Sequence, residues 1–218
     1  VKPVLFDFDG TLADSAPVIT DSYIHTLRQE QGRDYPPEFF RQFIGPPLED
    51  SFAAMGADDV HRYVRTYRAH YREHMYETLL FPGIKQMVAT LAQAGVPMAI
   101  ATSKRTDYAS MLADRLGVGQ YMKVVCGSYD GDPRAQKQHR VEDALSELGR
   151  QGYDTAGAIM VGDRIHDLEG ANANGIATIL VAWGAGGPDE WSLAWRVAHS
   201  VDELEDMLLD EVGVRRRR

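Results

Sequence analysis

An α/β fold, a Rossmann-like parallel sheet core flanked by helices with an inserted α-helical cap, is what three observations predict. An isolated apolar run, Val4, Leu5, Phe6 and Phe8, opens the chain as a buried strand. From residue 82 to residue 181 short apolar runs alternate with helix-patterned segments, the signature of parallel strands joined by helical crossovers. Between these two regions, residues 15–81 carry helical periodicity and no convincing strand pattern. The expected organisation is therefore a core of residues 1–14 and 82–218 with a helical cap of residues 15–81.

The elements follow in order. Val18, Ile19, Tyr23 and Leu27 mark one apolar helical face of the cap, and Val60, Val64, Tyr67, Tyr71 and Met75 mark another. Pro36-Pro37 and Gly45-Pro46-Pro47 break the segment into pieces. After Phe81-Pro82-Gly83 the pattern predicts a helix over 84–94 stopped by Gly95 and a strand over 97–101 that runs into Thr102-Ser103. A helix over 108–116 stopped by Gly117 and a strand over 122–126 come next. A helix over 138–150, a strand over 158–161, a short helix over 168–173 and a strand over 176–181 complete the series.

Composition bounds the function. With 218 residues, 44% hydrophobic and 25% charged, the chain is long enough for a sizeable core and ordinary for a globular protein. The net charge of -9 argues against nucleic acid, and Arg215 to Arg218 read as a solvated end. No stretch is long and apolar enough to span a bilayer, and no leader pattern precedes the first strand. Cys126 is the single cysteine, which excludes an internal disulfide and a cysteine-rich zinc cluster. The expectation is a cytoplasmic enzyme, monomer or homodimer, with no nucleic-acid or membrane partner.

Asp7-Phe8-Asp9-Gly10-Thr11 carries the chemistry. Residues two apart on a strand share a face, with α-carbons roughly 6.5–7 Å apart, and Gly10 permits the sharp turn that exposes both acids. One carboxylate can attack while the other moves a proton. Functional groups in open parallel sheets gather beyond the carboxyl ends of strands, which adds Thr102, Ser103 and Asp163, with Asp167 four residues further on. A cleft holding so many acids pushes them toward protonation. A divalent cation resolves the repulsion, and few carboxylates with room for water suit Mg2+.

These motifs, in the order Asp7-Phe8-Asp9-Gly10-Thr11, Ala101-Thr102-Ser103-Lys104, a later lysine and Gly162-Asp163-Arg164-Ile165-His166-Asp167, resemble those of haloacid dehalogenase superfamily phosphatases, in the branch similar to phosphoglycolate phosphatases. The resemblance spans nearly the whole chain, helical cap included. It implies that Asp7 is the nucleophile forming an aspartyl-phosphate, and that Asp9 protonates the leaving alcohol and then activates water. It also implies that Thr102, with Ser103 and the backbone around Gly10 and Thr11, holds the phosphoryl oxygens, and that Mg2+ is bound by Asp7, Asp9 through its carbonyl, Asp163 and Asp167. Lys137 matches the family's lysine by its place in the order, although Gln138 stands where proline often follows. Lys104 and Lys123 compete for that role.

The implied substrate is a small phosphorylated metabolite, phosphoglycolate-like or a nucleoside monophosphate. The loop Ile44-Gly45-Pro46-Pro47-Leu48 resembles the loop that faces the catalytic site in related caps; Gly45 within it and Arg41 just before it are the expected specificity residues, the arginine able to bind a substrate carboxylate or second phosphate. A sugar phosphomutase similar to beta-phosphoglucomutase is the enzyme alternative. Halide displacement would leave Asp9 and the pair Asp163 and Asp167 without work. A non-catalytic regulatory or zinc-binding protein is the alternative of another class, prompted by His70-Tyr71-Arg72-Glu73-His74, whose histidines lie at the edge of an apolar helix face. Gly184-Ala185-Gly186-Gly187 lacks dinucleotide-site spacing and reads as a loop near the cleft.

Overall fold

The structure is a computed structural model that describes residues 1–213; the arginine tail, Arg215 to Arg218, lies outside the described residues. The chain begins with β1 (Val4–Phe6) and β2 (Ala13–Asp14), then enters α1 (Ala16–Gln31), α2 (Leu48–Ala54) and α3 (Val60–His74). It returns through β3 (Leu79–Leu80), α4 (Ile84–Gln93), β4 (Met98–Arg105), α5 (Thr106–Arg115) and β5 (Met122–Ser128). It continues through α6 (Lys137–Arg150), β6 (Ile159–Gly162), α7 (Ile165–Ala173), β7 (Ala177–Val181), α8 (Pro188–Trp191), β8 (Arg196–Ala198) and α9 (Val201–Glu211). No described helix is long and apolar enough to cross a membrane.

Six strands form one parallel sheet in the order β5-β4-β1-β6-β7-β8. Val4, Leu5 and Phe6 are fully buried between neighbours on both sides, as a central strand of such a sheet requires. Chain order runs outward from β1 in both directions, so the crevice at its carboxyl end is the topological switch point. The carboxyl ends of β4 and β6 flank it.

Three features depart from the sequence expectation. β4 continues to Arg105 past an irregular register after Ala101, so Thr102, Ser103 and Lys104 belong to the strand. The series does not end at β7: β8 pairs with β7, and α9 follows, its Ser200 hydroxyl accepting from the Glu203 amide at 3.1 Å. The two linkers to the helical segment pair with each other, since β2 and β3 form a short antiparallel ribbon, Ala13 opposite Leu80.

The inserted helices pack around aromatic rings. Tyr23 stacks on Phe40 at 5.6 Å and meets Tyr67 at 5.0 Å and Phe52 at 5.4 Å. This buried aromatic core gives the segment a rigid underside, and α3 presents Arg68 and Tyr71 from it toward the sheet's carboxyl edge.

Candidate active site

The first motif leaves β1 and turns at once. The Gly10 amide donates to the Ala13 carbonyl at 2.9 Å, and the Phe8 carbonyl accepts from the Leu12 and Ala13 amides at 3.0 Å. Gly10 has φ +81°, a conformation open to glycine, and a Cβ there would lie 2.4 Å from Asp163 Oδ2. The turn thus lets β1 and β6 bring their acids together.

Asp7 Oδ1 accepts from the Phe8 amide at 2.7 Å and lies 2.8 Å from Lys137 Nζ. Lys137 opens α6, is 5% exposed, donates to the Ala101 carbonyl at 3.2 Å and forms an ion pair with Asp167 Oδ1 at 2.9 Å. Asp167 Oδ2 accepts from the Asp163 and Arg164 amides, both at 3.0 Å, which caps α7 and fixes the loop after β6. Asp163 Oδ2 accepts from the Ala185 amide at 2.7 Å, while its Oδ1 is buried without a partner.

Asp9 points the other way. Its two oxygens lie 3.1 and 3.2 Å from Lys104 Nζ, which in turn sits 4.5 Å from the centre of the Tyr71 ring on α3. Thr102, 1% exposed, lines the same cavity as Asp7, Asp9, Ser103 and Lys104, and its hydroxyl accepts from the Lys104 amide at 3.2 Å.

Electrostatics follow from burial. Desolvation drives the Asp7 carboxyl up to about 7, with Lys137 holding it down and Asp167 and Asp9 pushing it further up. Asp163 is driven well above the carboxylate range by burial, then by Asp167 and Asp7. Burial opposes the charge on Lys137, but Asp167 and Asp7 outweigh it and hold the ammonium above the ordinary lysine value. Lys104 is raised in the same way, with Asp9 and Tyr71 outweighing its burial.

Four acids therefore face two ammonium groups, an imbalance that a divalent cation would remove. Asp7, Asp163 and Asp167 offer oxygens within 4.8 Å of one another, and the unpartnered Asp163 Oδ1 is an orphan donor atom of the kind a cation satisfies. The all-oxygen set fits Mg2+. The Asp9 carboxylate is not in that group; it is turned to Lys104.

Other expected residues fall elsewhere. Gly10 and Thr11 are not among the walls of the cavity; the Thr11 carbonyl accepts from Trp183 Nε1 at 3.0 Å. Lys123 stands over the Tyr153 ring at 5.9 Å, away from the acids. Gly45 lines the cavity, but Arg41 does not: its guanidinium takes the Ala185 carbonyl at 2.8 Å and those of Gly184 and Gly186 at 3.3 Å. Arg164 reciprocates from the core, donating to the Ile44 carbonyl at 2.6 Å while paired with Glu190 at 3.2 Å. Sequence reasoning missed this double latch and the role of Ala185, although the glycine-rich run 184–187 was a signal of close backbone approach. Gly184 packs so tightly that a Cβ would stand 2.3 Å from the Asp163 Cβ.

The histidines form a file rather than a chelate. His25, His70 and His74 stack ring on ring, with centroids 4.4 Å apart at each step. Faces meet, whereas imidazole binds metal in the ring plane. Burial, then His25 and His74, lowers His70 below its ordinary value. Cys126 is partly buried, and burial raises its thiol to about 11.

A family model described as haloacid dehalogenase-like hydrolase matches residues 4–181. The chain belongs to that family. Among curated relatives, the pyrophosphatase PpaX of Halalkalibacterium halodurans is 32% identical over 100% of this chain and 99% of its own. A 5'-nucleotidase of Pseudomonas aeruginosa is 35% identical over 86% and 85%, and the tyrosine-protein kinase PtkA of Mycobacterium tuberculosis is 34% identical over 94% and 72%. Among solved structures, a predicted phosphatase from Clostridium acetobutylicum superposes with a TM-score of 0.85 at 29% identity, covering 96% of this chain and 98% of that one.

Proposed function

We propose that this phosphatase is a magnesium-dependent phosphomonoester hydrolase that passes the phosphoryl group of a small metabolite first to Asp7 and then to water. The observation that carries the reading is the opposed placement of the two acids. Asp7 lies with Lys137, Asp163 and Asp167 in one buried cluster, and Asp9 stands apart against Lys104.

An Asp7 oxygen attacks phosphorus as the ester P–O bond breaks, and Asp9 gives its proton to the departing oxygen. Asp9 then takes a proton from water, whose oxygen attacks the aspartyl-phosphate, releasing phosphate and restoring the Asp7 carboxylate. Lys137 opposes the charge on Asp7 and would oppose that on the transferring oxygens, and Thr102, which lines the same cavity, would hold a phosphoryl oxygen. Mg2+ held by Asp7, Asp163 and the Asp9 carbonyl, with Asp167 completing or tuning the site, would supply positive charge against the phosphoryl oxygens.

Three relatives bear on the acceptor and the substrate, being named a pyrophosphatase, a 5'-nucleotidase and a tyrosine-protein kinase. A screen of phosphorylated metabolites with and without Mg2+, reading released phosphate, tests the proposal. Release that depends on Mg2+, disappears in Asp7→Asn and survives His70→Ala with His74→Ala is the expected result. Interconversion of sugar phosphates without free phosphate would assign a mutase instead, and dependence on the histidines would assign zinc chemistry.

A further inference from the structure

The backbone that holds Asp163 in place is also the backbone that the cap grips. The loop 184–187 wraps this acid closely: the Ala185 amide donates to Asp163 Oδ2 at 2.7 Å, and a Cβ on Gly186 would collide with the Asp163 carbonyl oxygen. With one carboxylate oxygen fixed by the loop, the direction of the unpartnered Oδ1 follows. The loop itself lies between β7 and the short helix α8, outside any strand or helix. Its carbonyls at 184, 185 and 186 are tied instead by Arg41 of the cap.

Glu190, on α8, joins the loop to the turn after β6. It accepts from the Ile165 amide at 2.9 Å, pairs with Arg164 at 3.2 Å and stands beside Gly186, whose added Cβ would lie 2.9 Å from Oε2. Arg164 returns the contact to the cap, its Nη1 donating to the buried Ile44 carbonyl at 2.6 Å. The contacts form a closed circuit through Arg41, the loop, Asp163, Arg164 and Ile44. A second set of cap contacts lies elsewhere: Arg68 pairs with Asp130 at 2.8 Å, and Glu49 accepts from the Gly131 amide at 2.8 Å, both in the loop after β5.

We propose that Arg41, Arg164 and Glu190 are positioning residues that couple the seating of the helical cap to the Mg2+ site, so that Asp163 is aimed for tight binding only when the cap is docked. This deepens the hydrolase reading above and rests on its metal assignment. Mg2+ demands near-ideal octahedral geometry, so a small displacement of the Asp163 oxygen weakens the site. Coupling of this kind is reciprocal: the cap is held more firmly when the site is filled.

The test measures Mg2+ binding to the full chain by titration calorimetry, in the parent and in Arg41→Gln, Glu190→Gln and Arg68→Gln. Arg41 is exposed and its described partners are backbone carbonyls, so its replacement spares the core. Both arginine variants remove one positive charge, which by itself favours a cation nearby; a loss of affinity therefore reports position. The dissociation constant should rise by about tenfold in Arg41→Gln and Glu190→Gln and stay within about twofold in Arg68→Gln. Amide exchange at residues 12–14 and 79–83, the two linkers to the cap, gives the reciprocal reading. Mg2+ should slow it by about tenfold in the parent and leave it unchanged in Arg41→Gln. An unchanged dissociation constant in Arg41→Gln, an equal rise in Arg68→Gln, or linker exchange insensitive to Mg2+ in the parent overturns the coupling and leaves the hydrolase reading standing. A parent chain that binds no Mg2+ overturns both.

Discussion

Lys137→Met removes the charge at the centre of the site while nearly conserving volume. Its ammonium contacts Asp7 at 2.8 Å, Asp167 at 2.9 Å and the Ala101 carbonyl at 3.2 Å, all in the protein interior. Taking one partner from a buried ion pair costs roughly 3–5 kcal/mol, and a chain of this size loses about 2–4 °C of Tm per kcal/mol, so thermal unfolding should come down by roughly 6–20 °C. The deficit should depend on pH. Lys137 is the influence holding the Asp7 carboxyl down to about 7, so without it Asp7 titrates higher. A folded carboxyl raised above its unfolded value loses stability as pH rises through the folded value. The gap between variant and parent should therefore be smaller near pH 5, where Asp7 is protonated in both, and larger near pH 8. Calorimetry or circular dichroism melts across that range read it. A Tm within about 2 °C of the parent, or a gap flat in pH, would refute the view that Lys137 neutralises buried charge.

Without divalent cations the protein itself should lose stability between about pH 4 and 8, because the folded form binds more protons at Asp7 and Asp163 than the unfolded chain does. Asp7 alone moves from 3.8 to about 7, at most about 4 kcal/mol. Mg2+ should accordingly raise Tm more at the alkaline end, and an equal rise at both ends would contradict the metal assignment. Gly184→Ala drives a methyl to 2.3 Å from the Asp163 Cβ and 2.5 Å from the Gly10 carbonyl; a cost of roughly 1–3 kcal/mol and weaker Mg2+ binding in titration calorimetry are expected. Arg41→Gln should loosen the cap, since three core carbonyls lose their donor. Amide exchange at residues 12–14 and 79–83 should quicken by about tenfold, and unchanged protection there would argue against Arg41 as the latch that holds the cap to the core.

The parallel core was legible because its strands and helices are separated by period: β1, β4, β5, β6 and β7 are apolar runs, and the glycines at 95 and 117 stop helices. The acids Asp7, Asp9, Asp163 and Asp167 were legible because they follow such runs directly. The end of the chain was not read, although Ser200 with Glu203 three residues on, followed by Leu204, Leu208 and Leu209, carries a helix start and an apolar face. β8, at three residues, is too short to show a period.

What the chain determined by itself is local and periodic: which longer apolar runs become strands of the sheet, where a turn follows two carboxylates, and that helical segments come between the first motif and the alternating series. The tertiary structure alone decided which lysine meets which acid, giving Lys137 to Asp7 and Lys104 to Asp9. It also decided that Arg41 grips the backbone of residues 184–186 instead of lining the cavity. The physical reason is that an ion pair or a carbonyl latch depends on distances of about 3 Å between residues far apart in sequence. Those distances are set by sheet order and cap docking, which no periodicity within a segment encodes.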